Sequence, residues 1–145
     1  MPNIKRFKQS AFNKNDITKN SSIKIPGFNF QYVTTNKKYN FEKFKNEPRR
    51  EVDVRHQLDE LLQFISKRSF IELMQNRKNG LGGYETIYSS ELRFKPSGIA
   101  LTEDTKISSI RFGNADAYRL IARWEEPILY VYGYDFDHNA YDHGS

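Results

Sequence analysis

Three histidines, His56, His138 and His143, are the only side chains of this sequence that titrate near neutral pH in their ordinary state, and two of them stand in the tail with Tyr141 between them. Beyond Lys106 the remaining cations are Arg111, Arg119 and Arg123. One reaction that these residue types could serve is the metal-free cleavage of RNA. Cleaving RNA without a metal needs a base for the 2′-hydroxyl, a cation for the phosphorane oxygens and an acid for the leaving 5′-oxygen. Imidazole serves as base and acid, and arginine holds the phosphate because its planar fork matches the oxygens and stays charged. The candidate catalytic set is therefore Arg119, His138 and His143, with Arg111 beside Arg119 and Tyr141 as a ring against which a base stacks. His56 falls on the polar side of a helical stretch and reads as structural or solvent-facing. Arg123, close to Glu125 and Glu126, reads as a salt-bridge partner. Asp135, Asp137, His138, Asp142 and His143 have the types of metal ligands but no ligand spacing, so neither metal nor cofactor is expected.

The chain must position that tail. Its 145 residues make one domain, large enough to bury a core without staples. Phe and Tyr, 11 and 9 of them, indicate a core built largely on rings and argue against wholesale disorder. There is no cysteine, which excludes disulfides, cysteine-held zinc and thiol catalysis and fits a reducing compartment. No apolar run is long enough for a membrane span, and the charged N-terminus is not a secretory signal, so a cytoplasmic location is expected.

Net charge is +5, unevenly spread: residues 1–95 hold 19 Lys/Arg against 10 Asp/Glu, whereas residues 96–145 hold 4 against 8. A basic body attracts polyanions. Residues 1–26 read as an irregular basic arm, with Lys5, Arg6 and Lys8 among Asn and Ser, ending at the Pro26-Gly27 turn signal. Together with Lys37 and Lys38 these are the candidate RNA-binding residues.

Residues 27–145 read as a single domain. Phe28, Phe30 and Tyr32 alternate with polar residues and predict a strand over 28–33. Val54, Leu58, Leu61, Leu62 and Ile65 fall on one helical stripe, with Asn46 as its cap and Pro48 in its first turn. Ser69 and Glu72 form a capping box that opens a second helix, expected to run to Gly80. Lys106–Phe112, Tyr118–Trp124 and Ile128–Phe136 alternate with period two between short turns and predict an antiparallel meander. The expected fold class is α+β, a helix pair packed on one face of a twisted antiparallel sheet whose other face is open to a ligand. The row Tyr130, Tyr132 and Tyr134 is expected in the core against the helices.

That order resembles the RelE/ParE toxin superfamily, small basic domains in which a helix pair precedes an antiparallel meander. The resemblance is carried by Ala117-Tyr118-Arg119-Leu120-Ile121-Ala122 and by Ile128–Tyr134 followed by Asp135-Phe136-Asp137-His138-Asn139-Ala140-Tyr141. It implies an RNA endonuclease toxin of a toxin-antitoxin or phage-defence system, cleaving mRNA on the ribosome, with a cognate antitoxin as partner and no membrane association. The acidic tail and the sparse lysines of the helices depart from the family pattern. A non-enzymatic binding module that grips nucleic acid or protein, and a gyrase poison of the same fold, remain the alternatives.

Overall fold

The computed structural model describes residues 26–76, 80–113 and 117–143. Helix α1, Pro48–Ser66, forms where the apolar stripe predicts it, and Val54, Leu58, Leu61 and Ile65 are its buried residues. Its N-cap is Glu47 rather than Asn46, and the cap position carries no side-chain hydrogen bond. Pro48, next in line, needs no N–H partner and has its φ preset for a helix, so it fixes the start. Helix α2, Phe70–Met74, opens as expected: the Ser69 hydroxyl accepts from the Glu72 backbone N–H. It ends earlier than the expected Gly80, and residues 77–79 lie outside the described residues.

The strands are β1 (Gly27–Asn29), β2 (Tyr84–Tyr88), β3 (Lys106–Phe112), β4 (Tyr118–Glu125) and β5 (Ile128–Asp135). They form one five-stranded sheet in the order β1-β5-β4-β3-β2. Strands β2 to β5 are antiparallel neighbours, the expected meander with one strand added at its start. The sheet is nonetheless mixed, because β1 pairs parallel with β5. The strand expected over 28–33 is confined to three residues, and Gln31 and Tyr32 already turn the chain away from the sheet edge.

Helices α1 and α2 pack on one face. There Leu58, Leu61 and Leu73 meet Ile110, Leu120, Leu129 and Val131 in a core that includes Phe44, Tyr134 and Phe136. The opposite face is not open as expected. A second core of Tyr39, Ile87, Phe94, Ile107, Ile121 and Tyr132 covers much of it, with Leu92, Ile99 and Leu101 packed at its margin. Tyr130 and Tyr132 belong to this second side, which corrects their expected placement against the helices. A bulge in the β4–β5 ladder between Ile121 and Ala122 brings Val131 opposite Ala122 and Gly133 opposite Ile121, leaving Tyr132 as the extra residue. Tyr134 therefore returns to the helix side while Tyr130 and Tyr132 do not. Gly133 makes the close packing possible, since a Cβ there would lie 2.8 Å from the Phe94 ring and 2.9 Å from the Tyr39 carbonyl oxygen.

Leu61 is fully buried. Leu61→Ala is expected to lower stability by about 2–5 kcal/mol through lost transfer energy and the cavity left behind. Denaturant melts measure it, and a loss below about 1 kcal/mol would show that the helix–sheet contact contributes little. Among the described residues no helix is long and apolar enough to cross a membrane.

Candidate functional site

On the side of the sheet away from the helices, one cross-strand row holds Arg111 on β3, Arg119 opposite it on β4 and Asp135 opposite Arg119 on β5. Placing two guanidinium-bearing residues directly across a ladder costs stability. Arg119 is only 6% exposed, and among the described residues its buried Nε and Nη1 have no hydrogen-bond partner. Among the described residues the buried Nε of Arg111 has no hydrogen-bond partner either.

Asp135 is fully buried, yet its hydrogen bonds turn to the tail. Oδ1 accepts from the Asn139 backbone N–H at 2.9 Å. Oδ2 accepts from the Ala140 N–H at 3.1 Å and lies 2.8 Å from Nε2 of His143. An ionised carboxylate only accepts, so Nε2 of His143 carries the proton of this bond. His138, in the loop so formed, adopts φ 60, in the left-handed region that non-glycine residues seldom occupy. Its ring stacks on that of His143 with centroids 3.6 Å apart and an 18° interplanar angle. Tyr141 lies against the other histidine, His143, at 3.9 Å.

The loop is anchored a second time farther on. The Tyr141 hydroxyl donates to Glu85 at 3.0 Å and lies 2.7 Å from the Ser109 hydroxyl. Arg93 donates its backbone N–H to the Ala140 carbonyl and its guanidinium to the Asn139 carbonyl. Lys43 pairs with Asp137. Burial holds the His138 pKa below its ordinary value, with His143 and Arg119 pushing the same way and Asp135 and a backbone hydrogen bond at Ala117 opposing. The Tyr141 phenol is pushed up by burial, so it remains protonated.

Four of the five candidate catalytic residues, Arg119, His138, His143 and Tyr141, thus come together at one end of the sheet, with Arg111 the cross-strand neighbour of Arg119. Their exposures differ in a way that sorts their roles. His138 is exposed, and His143 is nearly enclosed. Tyr141 is 1% exposed, so its ring supports His143 and offers no face to a base, which corrects the stacking role expected for it. Asp135, Glu85 and Ser109 were not singled out as parts of a catalytic site. Asp135 had a signal, as an acid eight residues before a histidine, but that spacing has no helix or strand period that would place the two together.

Lys37 and Lys38 are exposed in the turn before a short 3-10 helix, Phe41–Phe44, and Lys37 pairs with Glu42 at 3.7 Å. Lys5, Arg6 and Lys8 lie outside the described residues. His56 is on the surface of α1, 3.4 Å from Glu60, and Arg123 lies 3.2 Å from Glu125. Among the described residues no group of three or more His, Asp or Glu side chains is arranged to hold a metal ion. No family model matches the chain, and neither does any curated protein or solved structure.

Proposed function

We propose that the chain is an endoribonuclease that cleaves RNA without a metal, its scissile phosphate held by Arg119 and Arg111 and its protons moved by His138 and His143. The observation that carries this reading is a guanidinium buried with two of its nitrogens unpartnered beside a pair of stacked imidazoles. Buried guanidinium nitrogens left without hydrogen bonds are costly. An anion that enters to meet them turns that cost into binding energy and transition-state stabilisation.

The roles follow from exposure and charge. His138, exposed and held neutral at pH 7 by its lowered pKa, takes the proton of the 2′-hydroxyl. The 2′-oxygen attacks phosphorus, and the bond to the 5′-oxygen breaks. The proton that the 5′-oxygen needs passes through His143, by the ring nitrogen that Asp135 leaves free. Two rings stacked at 3.6 Å address two oxygens on one phosphorus, because the entering and leaving oxygens of an in-line displacement are separated by a comparable distance. The products are a 2′,3′-cyclic phosphate and a free 5′-hydroxyl.

The resemblance in Tyr118-Arg119 and in the tail supports the narrower reading of a toxin acting on mRNA in the ribosome, with an antitoxin as partner. The test is incubation of the purified protein with RNA in the presence of chelator, with and without ribosomes, followed by end-group analysis. Cyclic-phosphate ends are expected. Intact RNA under both conditions would overturn the nuclease reading, and salt-sensitive binding without cleavage would leave a nucleic-acid-binding module in its place.

A further inference from the structure

We propose that Asp135 is a positioning residue, whose carboxylate holds the Asn139–Ala140 turn and sets His143, and through it His138, against Arg119. What the ordered histidines then do rests on the ribonuclease reading. What orders them rests on the geometry alone.

A carboxylate taken completely out of water needs compensation from hydrogen bonds. Asp135 finds three, all from one short stretch of chain: the backbone N–H groups of Asn139 and Ala140 and the ring of His143. Its neighbour across the ladder is Arg119, and an ion pair there would be the ordinary solution. The carboxylate turns to the tail instead. Both of its oxygens are used, one for Asn139 and one for Ala140 and His143. An asparagine has a single acceptor oxygen. In one orientation its amide nitrogen faces the Asn139 N–H, donor against donor. In the other it faces the Ala140 N–H and the His143 nitrogen. The site therefore requires an aspartate rather than any polar side chain of that shape.

The bond also chooses the tautomer of His143. With the proton of the neutral ring on Nε2, Nδ1 is the nitrogen left for chemistry. The ring, held at one edge by Asp135 and on its face by Tyr141, fixes the plane on which His138 stacks. The anchors through Tyr141 and Arg93 do not involve Asp135. They keep the tail on the sheet when the carboxylate is altered, which separates positioning from folding.

The test uses the full chain and the variants Asp135→Asn and Asp135→Glu, with two readouts. Nitrogen and proton NMR of the imidazoles is expected to show His143 as the Nε2–H tautomer in the wild type, with a proton protected from exchange, and to show that signature lost in Asp135→Asn. Kinetics on an RNA substrate are expected to show kcat for Asp135→Asn down by about 10²-fold, within the range of a general acid–base contribution, with KM within about twofold of wild type. Asp135→Glu, which keeps both acceptor oxygens, is expected to recover part of the loss. A wild-type His143 protonated on Nδ1 alone would overturn the proposal without any variant, even if Asp135→Asn fails to fold. So would an Asp135→Asn protein with unchanged tautomer and unchanged kcat. Should the wild type cleave no RNA, the ribonuclease reading falls while the NMR readout still decides whether Asp135 positions the histidines.

Discussion

Replacing Arg119 with methionine is expected to slow RNA cleavage by about 10²–10³-fold and, in the same protein, to raise the melting temperature. The two effects have one cause. The guanidinium is buried, two of its nitrogens have no hydrogen-bond partner among the described residues, and it faces Arg111 directly across the ladder, so the folded state without ligand carries unmet hydrogen-bonding capacity beside a like charge. Methionine has comparable length and no charge, fills the same space, and returns that energy to stability. A residue that only braced the sheet would behave oppositely, and its removal would lower the melting temperature. Addition of inorganic phosphate or sulfate is expected to stabilise the wild type and leave Arg119→Met unmoved, because an anion that binds only the folded state shifts unfolding by mass action. A methionine variant that melts lower than wild type, or cleaves at the wild-type rate, would remove Arg119 from the site.

The elements that bear this site were legible where a residue's neighbours are close in sequence. The stripe Val54, Leu58, Leu61 and Ile65 names its own helix, because 3.6-residue periodicity is set by the helix itself. Ser69 and Glu72 announce the start of α2 for the same reason. The alternation of Tyr118, Leu120 and Ala122 with Arg119, Ile121 and Arg123 sorted the two faces of β4 correctly. What depends on distant pairing was hidden. Strand β1 is set by its partner β5, far along the chain, which its three residues meet at Ile128, Leu129 and Tyr130 before the chain turns away. The bulge that puts Tyr134 on the helix side while Tyr130 and Tyr132 face away leaves no mark on a sequence that still alternates. The second core was invisible because Leu92, Phe94 and Ile99 lie in irregular chain with no period to read.

The candidate site divides in the same way. Residue chemistry was enough to choose Arg119, His138 and His143, since few side chains in this sequence do acid–base or phosphate chemistry at all. It was not enough to find Asp135, whose role is created by a turn of the chain, or to see that Tyr141 is enclosed. Acidity in the tail read as a departure from a nucleic-acid site. In the folded protein Asp135 is turned inward against the tail and His143, while Asp137 and Asp142 stay on the surface.

His138→Ala is the second large effect, with an expected loss of about 10²–10⁴-fold in kcat/KM as the general base disappears. Its pH signature separates it from a structural residue. The folded protein holds the His138 pKa below its ordinary 6.5, chiefly by burial, so the neutral base is the dominant form at pH 7. The rising acid limb of the wild-type profile of kcat/KM is therefore expected below pH 6.5, and the variant is expected to lack it. Stability obeys the same shift with a definite sign. The unfolded chain, with the higher pKa, binds the proton more readily, so the folded state is unaffected above pH 6.5 and loses stability as pH falls from there through the folded value. His138→Ala should flatten that decline, while His56→Ala, on the surface of α1 and away from the tail, should leave the rate profile as it is. Paired rate and melting profiles from pH 5 to 8 on the three proteins measure it. A wild-type acid limb that survives unchanged in His138→Ala would assign the proton transfer to another group and leave the His138–His143 stack a feature of packing.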